Sequence, residues 1–295
     1  SWSELAPRPV PVCDELLPSP VKLIWQGEFQ KPDASEINPD QYKISPDEPK
    51  EPFLRHRHPE LAVVGYSTSW NCGDETYPIA LDYETPALEI LPPDDGVDGI
   101  SLIFDCGREC AGFLELDWEC DEPGVTMEIH HGEHLDDCRV RSRILYARYI
   151  DTIHLGTGRH YFRHTMRRVG ARYLQLFILG MTRPLKLYYA GLSEQILPLP
   201  EAAKVKSPDA AELRLLSLSA RTLQLCMHEH YEDCPWREQS LYAGDSRIQM
   251  LCGYYVWGNY DFAAASLELL AQRYFDDCGY LSLCAPSGDN MTIAS

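Results

Sequence analysis

Between Leu61 and Leu199 the apolar positions come in short runs separated by turn residues. The clearest are Leu61-Ala-Val-Val-Gly65, Ile100-Ser-Leu-Ile-Phe104, Val125-Thr-Met-Glu-Ile129, Leu174-Gln-Leu-Phe-Ile-Leu179 and Leu185-Lys-Leu-Tyr-Tyr-Ala-Gly191. Runs of this length with partial alternation predict strands. Turn signals at Pro92-Pro-Asp-Asp-Gly96, Glu122-Pro-Gly124 and Gly156-Thr-Gly158 fall at the intervals of an antiparallel β-sandwich.

Past Pro200 the period becomes helical. Leu213, Leu216, Ala220, Leu223 and Met227 make one buried stripe, with Ser207 as the expected N-cap, Pro208 in the first turn and Asp209 facing the helix dipole. Asp233-Cys-Pro235 ends that pattern, because proline cannot continue the hydrogen-bond ladder. A second helix is expected after Gly244, capped by Asp245 and running through Ile248, Leu251, Cys252 and Tyr255. A third is expected from Asn259 or Tyr260 to about Phe275, ending near Gly279, with Ala263, Leu267, Leu270 and Tyr274 inward. Before all of this, residues 1–55 hold ten prolines, a density that disfavours long helices and central strands. The expected organisation is an extended lead-in over 1–55, a β-sandwich domain over 56–200 and a helical region over 201–295.

Composition changes the picture mainly through charge. The 295 residues carry a formal net charge of −19 and a pI near 4.8, which argues against a polyphosphate partner. The arginines at 139, 141, 143, 148, 159, 163, 167, 168 and 172 are spread among acidic neighbours over a strand-like region, so no nucleic-acid surface is expected. No apolar run reaches the roughly 20 residues of a membrane span. Eleven scattered cysteines, odd in number, do not read as a disulfide framework; with no leader in view they lean toward a reducing, cytoplasmic setting.

Two clusters invite a metal reading. Cys226, His228, His230 and Cys234 alternate without a compact second ligand pair, and His130, His131, Glu133 and His134 are explained by a partly exposed strand and turn. No metal or other cofactor is expected.

The densest chemistry lies in His228-Glu-His-Tyr-Glu-Asp-Cys-Pro-Trp-Arg-Glu-Gln-Ser-Leu-Tyr-Ala-Gly-Asp245, which joins the first two helices. Carboxylates beside aromatics are carbohydrate chemistry: aromatic faces pack on sugar C–H surfaces, and glycoside cleavage needs one carboxylic acid and a second carboxylate. Each residue also has a plain structural role: Asp233 as a helix stop, Asp245 as a cap, Trp236 as a core anchor, Glu238 as a solvated loop residue and Arg237 as its ion-pair partner.

The stretch Asp233-Cys-Pro-Trp-Arg-Glu-Gln-Ser-Leu-Tyr-Ala-Gly-Asp245 resembles the motif of the α-L-rhamnosidase family of inverting glycoside hydrolases, glycoside hydrolase family 78. The match falls at Asp233, Cys234, Pro235, Arg237, Glu238, Tyr242, Gly244 and Asp245. Trp2–Pro11, Asp105-Cys-Gly-Arg-Glu-Cys-Ala-Gly-Phe113, Gly132-Glu133 and Gly170-Ala-Arg-Tyr173 resemble that family's lead-in and central β-domain.

The resemblance implies a multidomain β + α fold, an antiparallel β-sandwich followed by the first helices of an (α/α)6 toroid. It makes Glu238 the general acid, Asp233, Arg237 and Asp245 grips on the rhamnose hydroxyls, Tyr242 an aromatic wall and Trp236 a further pocket residue. The implied substrate is a rhamnose-containing glycoside or polysaccharide. A general acid must hold its proton, so a direct Arg237–Glu238 contact would weigh against that role. The family's general base sits in a later hairpin. The residues after Ser207 suffice for about three helices and their loops, so the expectation is a portion of a longer protein or a shortened relative. The alternatives are a non-catalytic carbohydrate-binding β-sandwich protein and a related (α/α)6 glycosidase acting on another sugar.

Overall fold

The computed structural model describes residues 11–15, 21–30, 62–64, 77–79, 87–136, 139–144, 147–272 and 284–285. Two compact units divide the chain, one of residues 17–194 and one of residues 195–295 together with 1–16. The strands up to the helices are β1 (Asp14–Glu15), β2 (Val21–Gln30), β3 (Ala62–Val64), β4 (Tyr77–Ile79), β5 (Leu88–Ile90), β6 (Gly99–Cys120), β7 (Thr126–Gly132), β8 (Leu135–Asp136), β9 (Arg139–Val140), β10 (Arg143–Ile144), β11 (Ala147–Arg148), β12 (Ile150–His154), β13 (Gly158–Arg163), β14 (Val169–Leu179) and β15 (Leu185–Ile196). There follow α1 (Ala210–Leu225), β16 (Leu241–Tyr242), α2 (Ala243–Trp257), α3 (Asp261–Ala271) and β17 (Cys284–Ala285).

The first unit is an antiparallel, sandwich-like sheet organised around β6. The first part of β6, from Gly99 to Asp105, pairs with β2 on one side and β14 on the other. Its second part, from Gly112 to Cys120, pairs with β15 and β13. Between them Asp105 faces Tyr173 and Cys110 faces Ala171, so four residues, 106–109, stand opposite Arg172 alone. A bulge of this kind bends a strand and lets it change layers. Gly107 in the bulge takes φ +77°, a conformation costly for any side chain.

Ile100, Leu102 and Phe104 from before the bulge share one apolar core with Leu114, Leu116 and Trp118 from after it, and with Met127, Ile129, Leu174, Leu176, Ile178, Leu185 and Leu187. The strand therefore folds over a single interior. Burying that apolar area, at about 25 cal/mol per Å², is the main force behind the bend. On the opposite face of β14, Phe177 meets Phe29 edge-on at 5.0 Å, and Gln175 donates from Nε2 to Ser101 Oγ at 2.9 Å while accepting from Val140 N at 2.9 Å.

One expectation fails in the lead-in. β2 is a ten-residue strand inside it, flanked in the sheet by β6, β3 and β4. The prolines stop at Pro20 and resume at Pro32, so no ladder donor is missing in between.

The second unit holds the three helices. Asp209, not Ser207, is the N-cap of α1: its Oδ1 accepts from Ala211 N at 2.8 Å, while Ser207 Oγ donates to Glu212 Oε2 at 2.6 Å. Of the expected stripe, Leu223 and Met227 are buried, Leu216 and Ala220 are partly covered, and Leu213 is exposed. α2 begins at Ala243 with Tyr242 as its N-cap, which places Asp245 in the first turn and not at the cap. α3 starts at Asp261 and ends at Ala271; Phe262, Ala263, Ser266 and Leu270 are buried and Leu267 is exposed. Tyr274, Phe275 and Gly279 lie outside the described residues. The core of this unit gathers Leu197, Leu223, Met227, Tyr231, Leu241, Met250, Phe262 and Leu270. Among the described residues, no helix is long and apolar enough to cross a membrane.

Candidate functional site

The loop between α1 and α2 is built in two storeys. The lower one is a tight reversal at Met227–Tyr231, where His228 N donates to His230 O at 3.3 Å. Here His228 Nδ1 lies 3.3 Å from Glu232 Oε2, with both side chains buried. Tyr231 packs edge-on to Phe262 at 4.8 Å, and burial pushes its phenol well above the ordinary range. From α2, Gln249 Nε2 donates to Glu232 O at 2.6 Å and ties the loop to that helix.

The upper storey carries the motif. Asp233 N donates to Ser240 O at 2.9 Å, and Asp233 Oδ1 accepts from Ser240 N at 3.0 Å, closing residues 233–240 into a ring. Inside it, Glu238 N donates to Cys234 Sγ at 3.4 Å. Gln239 adopts a left-handed backbone, φ +53°, and its Nε2 donates to Pro235 O at 2.6 Å. That conformation costs a non-glycine residue roughly 1–2 kcal/mol. It brings Ser240 back to Asp233 and leaves Glu238 projecting at the turn.

Three of the expected site residues meet directly. Arg237 Nη2 forms an ion pair with Glu238 Oε1, and Tyr242 donates its hydroxyl to Glu238 Oε2 at 2.6 Å. The hydrogen bond to Glu238, with burial second, raises the Tyr242 pKa well beyond its usual value, so the phenol keeps its proton. Glu238 and Arg237 are 29% and 41% exposed, so solvent and a ligand can reach the pair. The direct Arg237 contact runs against the arrangement expected of a resting general acid.

The other expected residues are placed differently. Asp233 serves the loop closure through Oδ1. Trp236 is buried, as a core anchor would be. Asp245 is exposed in the first turn of α2, favourably placed against the helix dipole. Among the described residues no hydrogen bond or ion pair joins Asp245 to Arg237, Glu238 or Tyr242.

Neither histidine cluster assembles as a ligand set. Cys226 caps α1, His230 Nδ1 lies 2.8 Å from Tyr231 O, and burial raises the Cys234 thiol. In the other cluster, His130 Nδ1 meets Ser142 Oγ at 2.9 Å and His131 Nε2 faces Asp151 Oδ2 at 3.3 Å. No group of three or more such ligands capable of holding a metal occurs among the described residues. The arginines are largely committed: Arg159 forks onto Asp117, Arg172 onto Asp105, and Arg167 approaches Asp151 at 3.8 Å. The side chains of Arg143 and Arg148 lie outside the described residues.

Residue type alone does not single out Gln239, Ser240 or the pairing of His228 with Glu232. Backbone sign at residue 239 and the return of Ser240 to Asp233 leave no mark in residue type. His228 and Glu232, four apart, carried the only available signal.

Residues 97–187 match the bacterial α-L-rhamnosidase concanavalin-like domain. The chain resembles the α-L-rhamnosidases of glycoside hydrolase family 78. Among solved structures, a family 78 rhamnosidase of Bacillus sp. GL1 is 27% identical, with a TM-score of 0.57 over 67% of this chain and 20% of that one. A rhamnosidase from Klebsiella oxytoca with rhamnose bound is 18% identical, with a TM-score of 0.61 over 97% of this chain and 49% of that one. A Streptomyces avermitilis α-L-rhamnosidase complexed with L-rhamnose is 20% identical, with a TM-score of 0.53 over 70% of this chain and 20% of that one. The chain thus spans a fifth to a half of the length of these rhamnosidases. None of the curated proteins compared matches it. The family match falls within the β-rich unit, while the Arg237–Glu238–Tyr242 group lies in the helical one.

Proposed function

We propose that this chain is the sugar-binding and acid-donating portion of an inverting α-L-rhamnosidase that removes terminal α-L-rhamnose from glycosides or polysaccharides. The observation that carries the reading is Glu238, held between Arg237 and Tyr242 at a reachable turn whose sequence resembles the family motif. Likeness over 97% of the chain to a rhamnosidase described with rhamnose bound supports it. In this reading the helices begin an (α/α)6 toroid, and the general base is a carboxylate not among residues 1–295.

Glu238 protonates the departing glycosidic oxygen while water attacks the anomeric carbon from the opposite face. Both Glu238 oxygens are engaged in the ligand-free arrangement, so the role requires one to be released. Sugar binding accomplishes this when Arg237 exchanges Glu238 for a rhamnose hydroxyl, a neutral acceptor that leaves the carboxyl free to carry a proton. Asp233 and Asp245 accept from further hydroxyls, Tyr242 faces the ring and its methyl group, and buried Trp236 backs the pocket from behind. An inverting mechanism calls for about 6.5–9.5 Å between Glu238 and the base.

The test is release of nitrophenol from an aryl α-L-rhamnoside by the full-length protein. Glu238→Gln is expected to abolish it with the fold retained; undiminished turnover would overturn the assignment. The confinement of the family match to residues 97–187 favours a second reading, a carbohydrate-binding β-domain. Calorimetry with rhamnose separates the two, because affinity unchanged by Arg237→Ala would put the sugar elsewhere than in the helical loop.

A further inference from the structure

Cys106 and Cys110 are free thiols, the first half-buried and the second buried. On a regular strand, residues four apart stand about 13 Å from one another. Here the strand is not regular. Asp105 and Cys110 face Tyr173 and Ala171, only two residues apart on β14, which brings those two β6 positions to within about 6.6 Å. Cys106 directly follows Asp105, so the bulge carries it back toward Cys110, in the direction of the roughly 4.4–6.8 Å Cα separation of a disulfide. Both side chains pack on the same apolar core, Cys110 within it and Cys106 at its edge, and Cys110 Sγ donates to Arg108 O at 3.6 Å inside the bulge.

The bulge is pinned at both ends. Arg172 forks onto Asp105 at 2.9 and 3.0 Å, Gly107 N donates to Asp105 Oδ1 at 2.7 Å, and Arg108 Nη2 holds Glu194 Oε2 at 2.8 Å. These contacts hold the bulge that carries both cysteines.

We propose that Cys106 and Cys110 form a dithiol site that closes to an intrachain disulfide on reaction with a small-molecule disulfide, stapling the β6 bulge. A hydrogen bond between the side chains raises the Cys106 pKa and lowers that of Cys110, so exposure and not acidity makes Cys106 the first to react. Cys106, the more exposed sulfur, releases its proton to solvent, from which the last R–S⁻ recovers it, and attacks one sulfur of the oxidant R–S–S–R, expelling R–S⁻. That thiolate takes the proton from Cys110. Cys110 then attacks the Cys106 sulfur of the mixed disulfide and expels the second R–S⁻. Two thiols are oxidised to one disulfide, and one R–S–S–R is reduced to two thiols.

The experiment treats the full chain with glutathione disulfide, then denatures, alkylates and digests it, with cleavage at Arg108 between the two cysteines. The expected product is a pair of peptides joined through Cys106 and Cys110, lighter by two hydrogens, unalkylated, and restored by dithiothreitol. Cys252, exposed on α2, reports that the oxidant reached the protein by carrying glutathione. Cys110→Ser is expected to leave glutathione trapped on Cys106; the wild-type map alone decides if that variant does not fold. Full alkylation of both residues while Cys252 is glutathionylated, or a stable glutathione adduct on wild-type Cys106, would overturn the proposal.

Discussion

Tyr242 donates its hydroxyl to Glu238 Oε2 across 2.6 Å, four residues along a loop whose next segment is already α2. The contact joins the start of that helix to the one carboxylate also gripped by Arg237, so the helix dictates where Glu238 points.

Removing that donor isolates its contribution. Tyr242→Phe keeps the ring and deletes a hydrogen bond to a carboxylate, worth about 1.5–3 kcal/mol and hence about ten- to a hundredfold in rate. We expect kcat/KM on an aryl rhamnoside to fall by about that factor with unchanged circular dichroism. A variant as active as wild type would show that Tyr242 does not orient Glu238 during turnover.

The leaving group gives a sharper test of Glu238. An acid that protonates the departing oxygen matters most when that oxygen leaves poorly. Glu238→Gln should therefore retain far more activity on a dinitrophenyl rhamnoside than on a methyl or sugar rhamnoside. Equal loss across that series would make Glu238 a positioning residue.

Asp233 has two tasks, and both should be visible in one variant. Asp233→Ala removes the acceptor for Ser240 N and opens the ring closed over residues 233–240. The expected destabilisation is about 1–2 kcal/mol in urea unfolding, accompanied by a raised KM. Unfolding indistinguishable from wild type would show that the backbone pair holds the loop unaided.

The β-rich unit should weaken in mild acid. Burial lowers the His131 pKa, against a smaller opposing pull from Asp151. Its folded pKa is below the unfolded value of about 6.5, so the unfolded chain takes up the proton first. The stability that neutral His131 contributes is present above pH 6.5 and is lost as pH falls below it. His131→Gln should flatten the slope of stability against pH in that window, measured by urea unfolding at pH 7 and 5.5; an unchanged slope would assign the acid sensitivity elsewhere.

Leu176, fully buried on β14, tests the core that bends β6. Leu176→Ala should cost about 2–5 kcal/mol, depending on how far its neighbours relax into the void. A loss below 1 kcal/mol would mean the sheet does not depend on that interior.

Much of the β-rich unit was readable as period-two runs: Ile100–Phe104, Leu174–Leu179 and Leu185–Gly191 fall within β6, β14 and β15, and Val125–Ile129 enters β7 at Thr126. The proline count hid β2, because a global density says nothing about where a ten-residue gap lies. Helical periodicity located α1, yet Leu213 is exposed, because periodicity marks a face and not what covers it.

Residue types and spacing by themselves determined the main strands after Gly99, the three helices, the acidic balance and the local run from Asp233 to Asp245. Those are properties of neighbours in the chain, and short-range sterics and hydrophobic pattern are enough to set them. Tertiary structure alone decided that Arg237 and Tyr242 take the two oxygens of Glu238, that Gln239 turns left-handed to return Ser240 to Asp233, and that four residues of β6 bulge opposite Arg172. Each of these depends on the register between segments distant in the chain or on the sign of one backbone angle, and neither is encoded in the identity of a single residue.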